Sequence, residues 1–174
     1  TAQSPSVRPV PFMELPSVET QSRPSASIAA LSGMPNQPFF VVSVEKVAPT
    51  SATLSGRTVG IVGMGYIGKA LARLLRGFGC PILYTKRTPL PQPEEADLNA
   101  RFAPLDDLLA ASDVVTLNCD LNDSTRDLID ARRLALMKPD AILVNAARGG
   151  VLVEGDLADA IRQGRLCGAG IDVF

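Results

Sequence analysis

Thr58-Val-Gly-Ile-Val62 runs without a break into Gly63-Met-Gly-Tyr-Ile-Gly68, and Lys69-Ala-Leu-Ala-Arg-Leu-Leu-Arg-Gly-Phe78 follows. The first piece is a short apolar run, the pattern of a buried strand. The last is helical: Ile67, Ala70, Leu71, Leu74, Leu75 and Phe78 are predicted to share one apolar face, with Lys69, Arg73 and Arg76 elsewhere. Gly79 ends the helix. Between strand and helix stand three glycines in the spacing G-x-G-x-x-G. Alone that spacing is a weak signal, because glycines also make ordinary tight βα turns. Strand, loop and helix in register make it specific. Gly63 permits the turn, Gly65 lets a pyrophosphate approach the backbone, and Gly68 lets helix and strand pack closely. The helix start offers free N–H groups and a positive dipole end to phosphate. The stretch therefore predicts a dinucleotide-binding loop.

A carboxylate is expected about 20 residues on, after the second strand, to accept from an adenosine ribose hydroxyl. The second strand reads Pro81-Ile-Leu-Tyr84, and the residues after it are Thr85-Lys-Arg-Thr88. No acid is present. Lys86, Arg87 and the hydroxyl of Thr88 instead match a 2′-phosphate, which Arg87 could hold bidentately. A solvated basic turn is the other reading of these residues. The site chemistry favours NADP(H) over NAD(H).

Further along, Leu105 to Ala111 reads as a short helix and Asp113-Val-Val-Thr-Leu117 as a strand. Asp130 caps a helix running to Met137. Ala141 to Asn145 is a strand, Asp156 to Gln163 a helix stopped by Gly164, and Ala169 to Val173 a last strand. Short apolar strands alternating with amphipathic helices imply βαβ units. The expected fold is α/β, a Rossmann-type doubly wound parallel sheet covered on both faces, over residues 51–174. Residues 1–50 differ. They are rich in Pro and Ser and are expected to be a low-complexity, disordered segment, with one short extended piece at Phe39-Phe-Val-Val-Ser-Val44.

The chain has 174 residues, enough for one core. Lys plus Arg is 17 and Asp plus Glu is 18, a net charge of -1 that gives no electrostatic case for nucleic acid or an anionic membrane. No apolar run approaches the roughly 18 residues of a membrane span. Cys80, Cys119 and Cys167 lie in apolar runs without paired spacing and read as buried, reduced thiols rather than metal ligands. There is no histidine, the commonest general acid/base. The chain begins at Thr1 and reads as a fragment. Its location reads as cytoplasmic, the Ser-rich, acid-poor start being also the texture of an organelle-targeting segment.

Five blocks then combine. Leu54-Ser-Gly-Arg-Thr-Val-Gly-Ile-Val-Gly-Met-Gly-Tyr-Ile-Gly68, Ser112-Asp-Val-Val-Thr-Leu117, Leu136-Met-Lys-Pro139, Asn145-Ala-Ala-Arg-Gly149 and Gly168-Ala-Gly-Ile-Asp-Val-Phe174 stand in order. They resemble the cofactor domain of the D-isomer-specific 2-hydroxyacid dehydrogenases. Tyr84-Thr-Lys-Arg-Thr-Pro89 looks most like the NADPH-preferring glyoxylate and hydroxypyruvate reductase branch. The resemblance implies an oxidoreductase acting on a small 2-keto or 2-hydroxy acid, and a homodimer formed through this domain. It puts the family's catalytic arginine on Arg148, which would bind substrate carboxylate and keto oxygen; a planar cation at a strand end suits that task. A capping or surface arginine is the plainer reading. By position the resemblance adds Met64, Tyr66, Ile67, Cys119, Ala146, Ala147 and Asp172 as cofactor contacts, Asp172 accepting from the nicotinamide carboxamide or merely capping a strand end. It also implies a Glu and a His as acid/base pair, which this sequence does not supply, so the chain by itself is expected to turn over very poorly. Where relatives often carry His or a neutral residue and then Pro, this chain has Asn118-Cys-Asp120, an unexpected carboxylate near the cofactor loop. The rival class of function is a non-catalytic dinucleotide sensor, since the family also includes transcriptional corepressors. A third reading is a chain that cannot fold, with an exposed sheet edge.

Overall fold

The computed structural model describes residues 40–43 and 53–173. The expectation of disorder over 1–50 lies, apart from 40–43, outside the described residues. The chain forms β2 (Val59–Val62), α1 (Tyr66–Leu75), β3 (Ile82–Thr85), α2 (Gln92–Leu98), β4 (Ala100–Phe102), α3 (Leu105–Ala111), β5 (Val114–Leu117), α4 (Ala131–Leu134), β6 (Ile142–Asn145), α5 (Glu154–Arg162) and β7 (Gly168–Ile171), preceded by β1 (Phe40–Ser43). The seven-stranded sheet has the order β1-β7-β6-β5-β2-β3-β4. Strands β2 to β7 pair in parallel. Strand β1, within the expected extended piece, pairs antiparallel with β7 and covers its outer edge. The chain winds outward from β2 through β3 to β4, then returns to the other side at β5. The strand order thus reverses between β2 and β5, the place where open α/β sheets bind ligands.

The sequence leaves the stretch between β3 and α3 unassigned, and α2 and β4 lie there. Pro91 and Pro93 suggest a broken segment, yet Pro91 is the N-cap and Pro93 sits in the first turn, where proline costs no hydrogen bond. Asn99 closes α2 in the left-handed conformation, with φ of 49°. Tyr84 knits this edge together. Its hydroxyl donates to Glu95 Oε1 at 2.7 Å and accepts from the Leu90 N–H at 2.7 Å, while its ring meets Phe102 edge-on. Burial and the Glu95 carboxylate push the Tyr84 hydroxyl up to about 12. Helix α4 ends at Leu134, short of the expected Met137; the backbone goes on in three-residue turns through Leu136 and Met137 before Pro139. Its Asp130 cap is in place, accepting from the Arg133 N–H at 2.9 Å.

The expected apolar face of α1 is divided. Gly68, Ala72 and Leu75 face the sheet, but Ile67 is 65% exposed, Leu74 71% and Phe78 54%. Periodicity finds the stripe but not which side of it lies down. Gly68 decides, because a Cβ there would strike the Gly63 carbonyl oxygen, and only glycine lets α1 seat this closely. Lys69 and Arg76 reach Glu94 and Asp97 of α2, so the bare stripe lies on the opposite flank.

Coverage of the two sheet faces also differs from expectation. α3, α4 and α5 pack on one face against Val115, Leu117, Leu143, Ala169 and Ile171. On the other face, α1 and α2 cover Val59, Ile61, Ile82 and Tyr84. In register with Val59 and Ile61 lie Val114 and Thr116, then Ile142 and Val144. Among the described residues nothing fully covers β6 on that side, where Ile142 is 38% exposed. Among the cysteines, Cys80 is buried, while Cys119 and Cys167 are only partly so.

Candidate functional site

The site is built at the C-terminal ends of β2, β3 and β5. Gly63 adopts φ of 100°, and a Cβ there would lie 2.6 Å from the backbone of Asn118 and Cys119. Its N–H donates to the Thr85 carbonyl at 2.9 Å, while the Asn118 N–H donates to the Val62 carbonyl at 2.7 Å. The glycine loop is thereby pinned between the ends of β3 and β5. Gly65 is the N-cap of α1, has no side chain to occupy the helix mouth, and has open space where a Cβ would be. No acidic residue lies in the first turn of α1. These are the properties a pyrophosphate requires: free N–H groups, a positive helix end and nothing in the way.

A cavity of about 470 Å³ opens over this loop. It gathers Gly63, Met64 and Gly65 with Lys86, Arg87, Cys119 and Asp120. Of the expected cofactor contacts, the remainder are placed differently. Gly68 is buried beneath the loop; Tyr66 (92% exposed) and Ile67 point out from α1; Thr88 is exposed beyond the basic pair. Met64, though at the cavity's edge, is fully buried and packs in the core. Burial, with the neighbouring Asp120 carboxylate adding to it, pushes the Cys119 thiol up. A raised thiol is less readily ionised, so Cys119 is suited to be a wall of the cavity.

Sequence reading missed the far wall, formed by Asn122, Ser124 and Thr125 with Leu105 and Leu128. The Asn122 side-chain oxygen accepts from the Ser124 N–H at 2.9 Å, and Thr125 Oγ1 accepts from the Asn122 N–H at 2.8 Å. The Thr125 hydroxyl donates to the Asp120 carbonyl at 2.5 Å. A polar Asn-x-Ser-Thr turn just past a strand's C-terminal end was the available signal.

Arg148, Ala146, Ala147 and Asp172 are not part of this cavity's lining; they stand at the ends of β6 and β7. Arg148 is exposed with extended backbone, its guanidinium donating to the Ala147 carbonyl at 2.7 Å. The buried Asn145 side chain spans the turn, accepting from the Ala147 N–H at 3.1 Å and donating to the Arg148 carbonyl at 3.0 Å. The Asp172 N–H donates to the Asn145 carbonyl at 3.0 Å. The turn continues into a short 3-10 segment, Gly149–Val151, tied to residues 127–129 by Asp127 N–H to Gly150 carbonyl and Ile129 N–H to Val151 carbonyl bonds.

This architecture has known relatives. Residues 37–174 match the family described as D-isomer specific 2-hydroxyacid dehydrogenase, NAD binding domain. A glyoxylate reductase of Thermococcus onnurineus is 53% identical over 119 residues, which are 68% of this chain and 35% of that protein. The chain thus spans about a third of the length of the curated relatives it matches. The crystal structure of a glyoxylate reductase from Paecilomyes thermophila superposes with a TM-score of 0.67 at 42% identity, covering 71% of this chain and 37% of that one. The NAD-complexed D-isomer specific 2-hydroxyacid dehydrogenase of Lactobacillus delbrueckii gives 0.67 at 31% identity, covering 71% and 38%.

Proposed function

The chain belongs to the D-isomer specific 2-hydroxyacid dehydrogenases through their NAD binding domain, and from that premise we propose that it serves an NADP(H)-dependent reduction of a small 2-keto acid, glyoxylate or hydroxypyruvate. One observation carries the cofactor choice: Lys86 and Arg87 line the same cavity as the glycine loop, in the place where a ribose-binding carboxylate would otherwise stand. The residues fit a dinucleotide. Gly63, Gly65 and the first N–H groups of α1 would hold its pyrophosphate, and Lys86, Arg87 and Thr88 its 2′-phosphate. When bound, the cofactor supplies the hydride. Arg148 binds the substrate carboxylate through its fork of donors and stabilises negative charge on the keto oxygen. Asp172 accepts from the carboxamide of the nicotinamide.

The sequence contains no histidine, so the proton that must reach the keto oxygen has no imidazole donor here. The chain by itself binds cofactor and reduces keto acid very slowly. A homodimer through this domain and a cytoplasmic location belong to the same reading, and exposed Ile67, Leu74 and Phe78 would supply apolar surface for the dimer. The test is a steady-state assay of the purified chain with NADPH and hydroxypyruvate. Saturable NADPH binding with negligible turnover is expected; reduction at an ordinary enzymatic rate would overturn the assignment of slow chemistry.

A further inference from the structure

We propose that Asn145 is a positioning residue that sets Arg148 for its ligand, an inference that rests on the 2-keto acid reading above. The chain enters the loop from β6, and Asn145 is its last residue. Its side chain is polar yet only 1% exposed. A buried amide is retained only where its donors and acceptor are used. Here both ends are. Oδ1 accepts from the Ala147 N–H and Nδ2 donates to the Arg148 carbonyl. The backbone carbonyl of the same residue accepts from the Asp172 N–H. One residue therefore ties three positions of the candidate site, two through its side chain and one through its main chain.

The geometry explains why this must be asparagine. Aspartate has the same shape but no N–H, so it would set a buried negative charge against the Arg148 carbonyl oxygen. Alanine would leave the Ala147 N–H unpaired and the Arg148 carbonyl held only by the Val151 N–H, at 3.2 Å. In each case the turn loses its brace next to Arg148, whose exposed side chain is tied by its hydrogen bond to the Ala147 carbonyl of the same turn. The glycine loop and Lys86–Arg87 follow β2 and β3 and share no hydrogen bond with Asn145, and Asp172 is tied through the Asn145 main chain, which the substitutions keep. Dinucleotide affinity should accordingly be insulated from the change.

The experiment uses the full 174-residue chain, as wild type, Asn145→Asp and Asn145→Ala. Titration with NADPH, and with oxamate in saturating NADPH, separates the two affinities, and amide hydrogen exchange reads the brace directly. In Asn145→Asp, oxamate binding should weaken by about tenfold or more and NADPH binding by less than about twofold. The Ala147 amide should exchange faster while Val115, in the middle of the sheet, stays protected. Unchanged oxamate affinity overturns the proposal, and so does a uniform loss of both affinities with faster exchange throughout, which is general loosening. If wild type fails to bind oxamate, the 2-keto acid reading falls. Exchange then decides the brace alone: an Ala147 amide equally protected in wild type and variants overturns it, and selective deprotection upholds it.

Discussion

At β2 the loop Gly63–Gly68 takes its shape from missing side chains, whereas at β6 the turn Asn145–Arg148 takes its shape from one buried side chain. In the first, backbone atoms of Asn118 and Cys119, just past the end of β5, fill the space where a Cβ of Gly63 would go. In the second, the amide of Asn145 replaces a strand partner for two backbone groups. The difference follows from the ligands each part is proposed to meet. A pyrophosphate is recognised by main-chain N–H groups, which must be bared. A carboxylate is recognised by a long cationic side chain, whose backbone must be held still. Substitutions can attack each device separately.

The largest effect is expected at Gly63. Its φ of 100° and the 2.6 Å approach of residues 118 and 119 leave no room for Gly63→Ala. Such a variant should lose about 3 kcal/mol or more of stability in chemical unfolding, and a variant that unfolds like wild type would show the loop to be adaptable. Gly65→Ala sharpens the contrast, because the added methyl meets open space. It should unfold normally yet lose NADPH binding by titration; retained binding would mean that phosphate does not approach there. At the other loop, Arg148→Lys should weaken oxamate binding by about tenfold through loss of the fork, with NADPH affinity unchanged. Equal oxamate affinity would return Arg148 to a surface role.

Asp113 offers the smallest effect and a control remote from both loops. Burial would raise its carboxyl, but the Lys138 ammonium and the Thr58 N–H, at 2.9 and 2.8 Å, hold it below the usual carboxylate range. A depressed folded-state value means that the group stabilises the fold above the ordinary carboxylate range. That contribution is lost as the pH falls through the folded-state value. Asp113→Asn should cost about 1 kcal/mol at neutral pH and flatten the acid limb of stability, with both ligand affinities kept. A variant with an unaltered acid limb would remove Asp113 from the account.

The fold was legible where local chemistry is strong. Glycine spacing, the Asp130 cap, Gly79 and Gly164 as helix stops, and the apolar strands each mark an element through its own residues. What escaped depends on tertiary packing. The α2–β4 edge hides behind prolines that are harmless in a helix's first turn. The seating of α1 is decided by the contact of Gly68 with Gly63, which no periodicity reports. The cavity followed the same rule. Gly63, Met64, Gly65, Lys86 and Arg87, and Cys119 through the resemblance, were expected as cofactor contacts and line one cavity, while Asn122, Ser124 and Thr125 join them because the turn after β5 reaches the glycine loop. Asn145 stands in the motif that exposes Arg148, but only its burial and its two side-chain hydrogen bonds give it a task.

The most direct measurement is calorimetric titration of the purified chain with NADPH and, separately, with NADH at one ionic strength. The account predicts that both bind and that NADPH binds more tightly by about tenfold or more, the worth of a bidentate phosphate contact from Arg87 with Lys86 beside it. Equal affinities, or tighter binding of NADH, would contradict it.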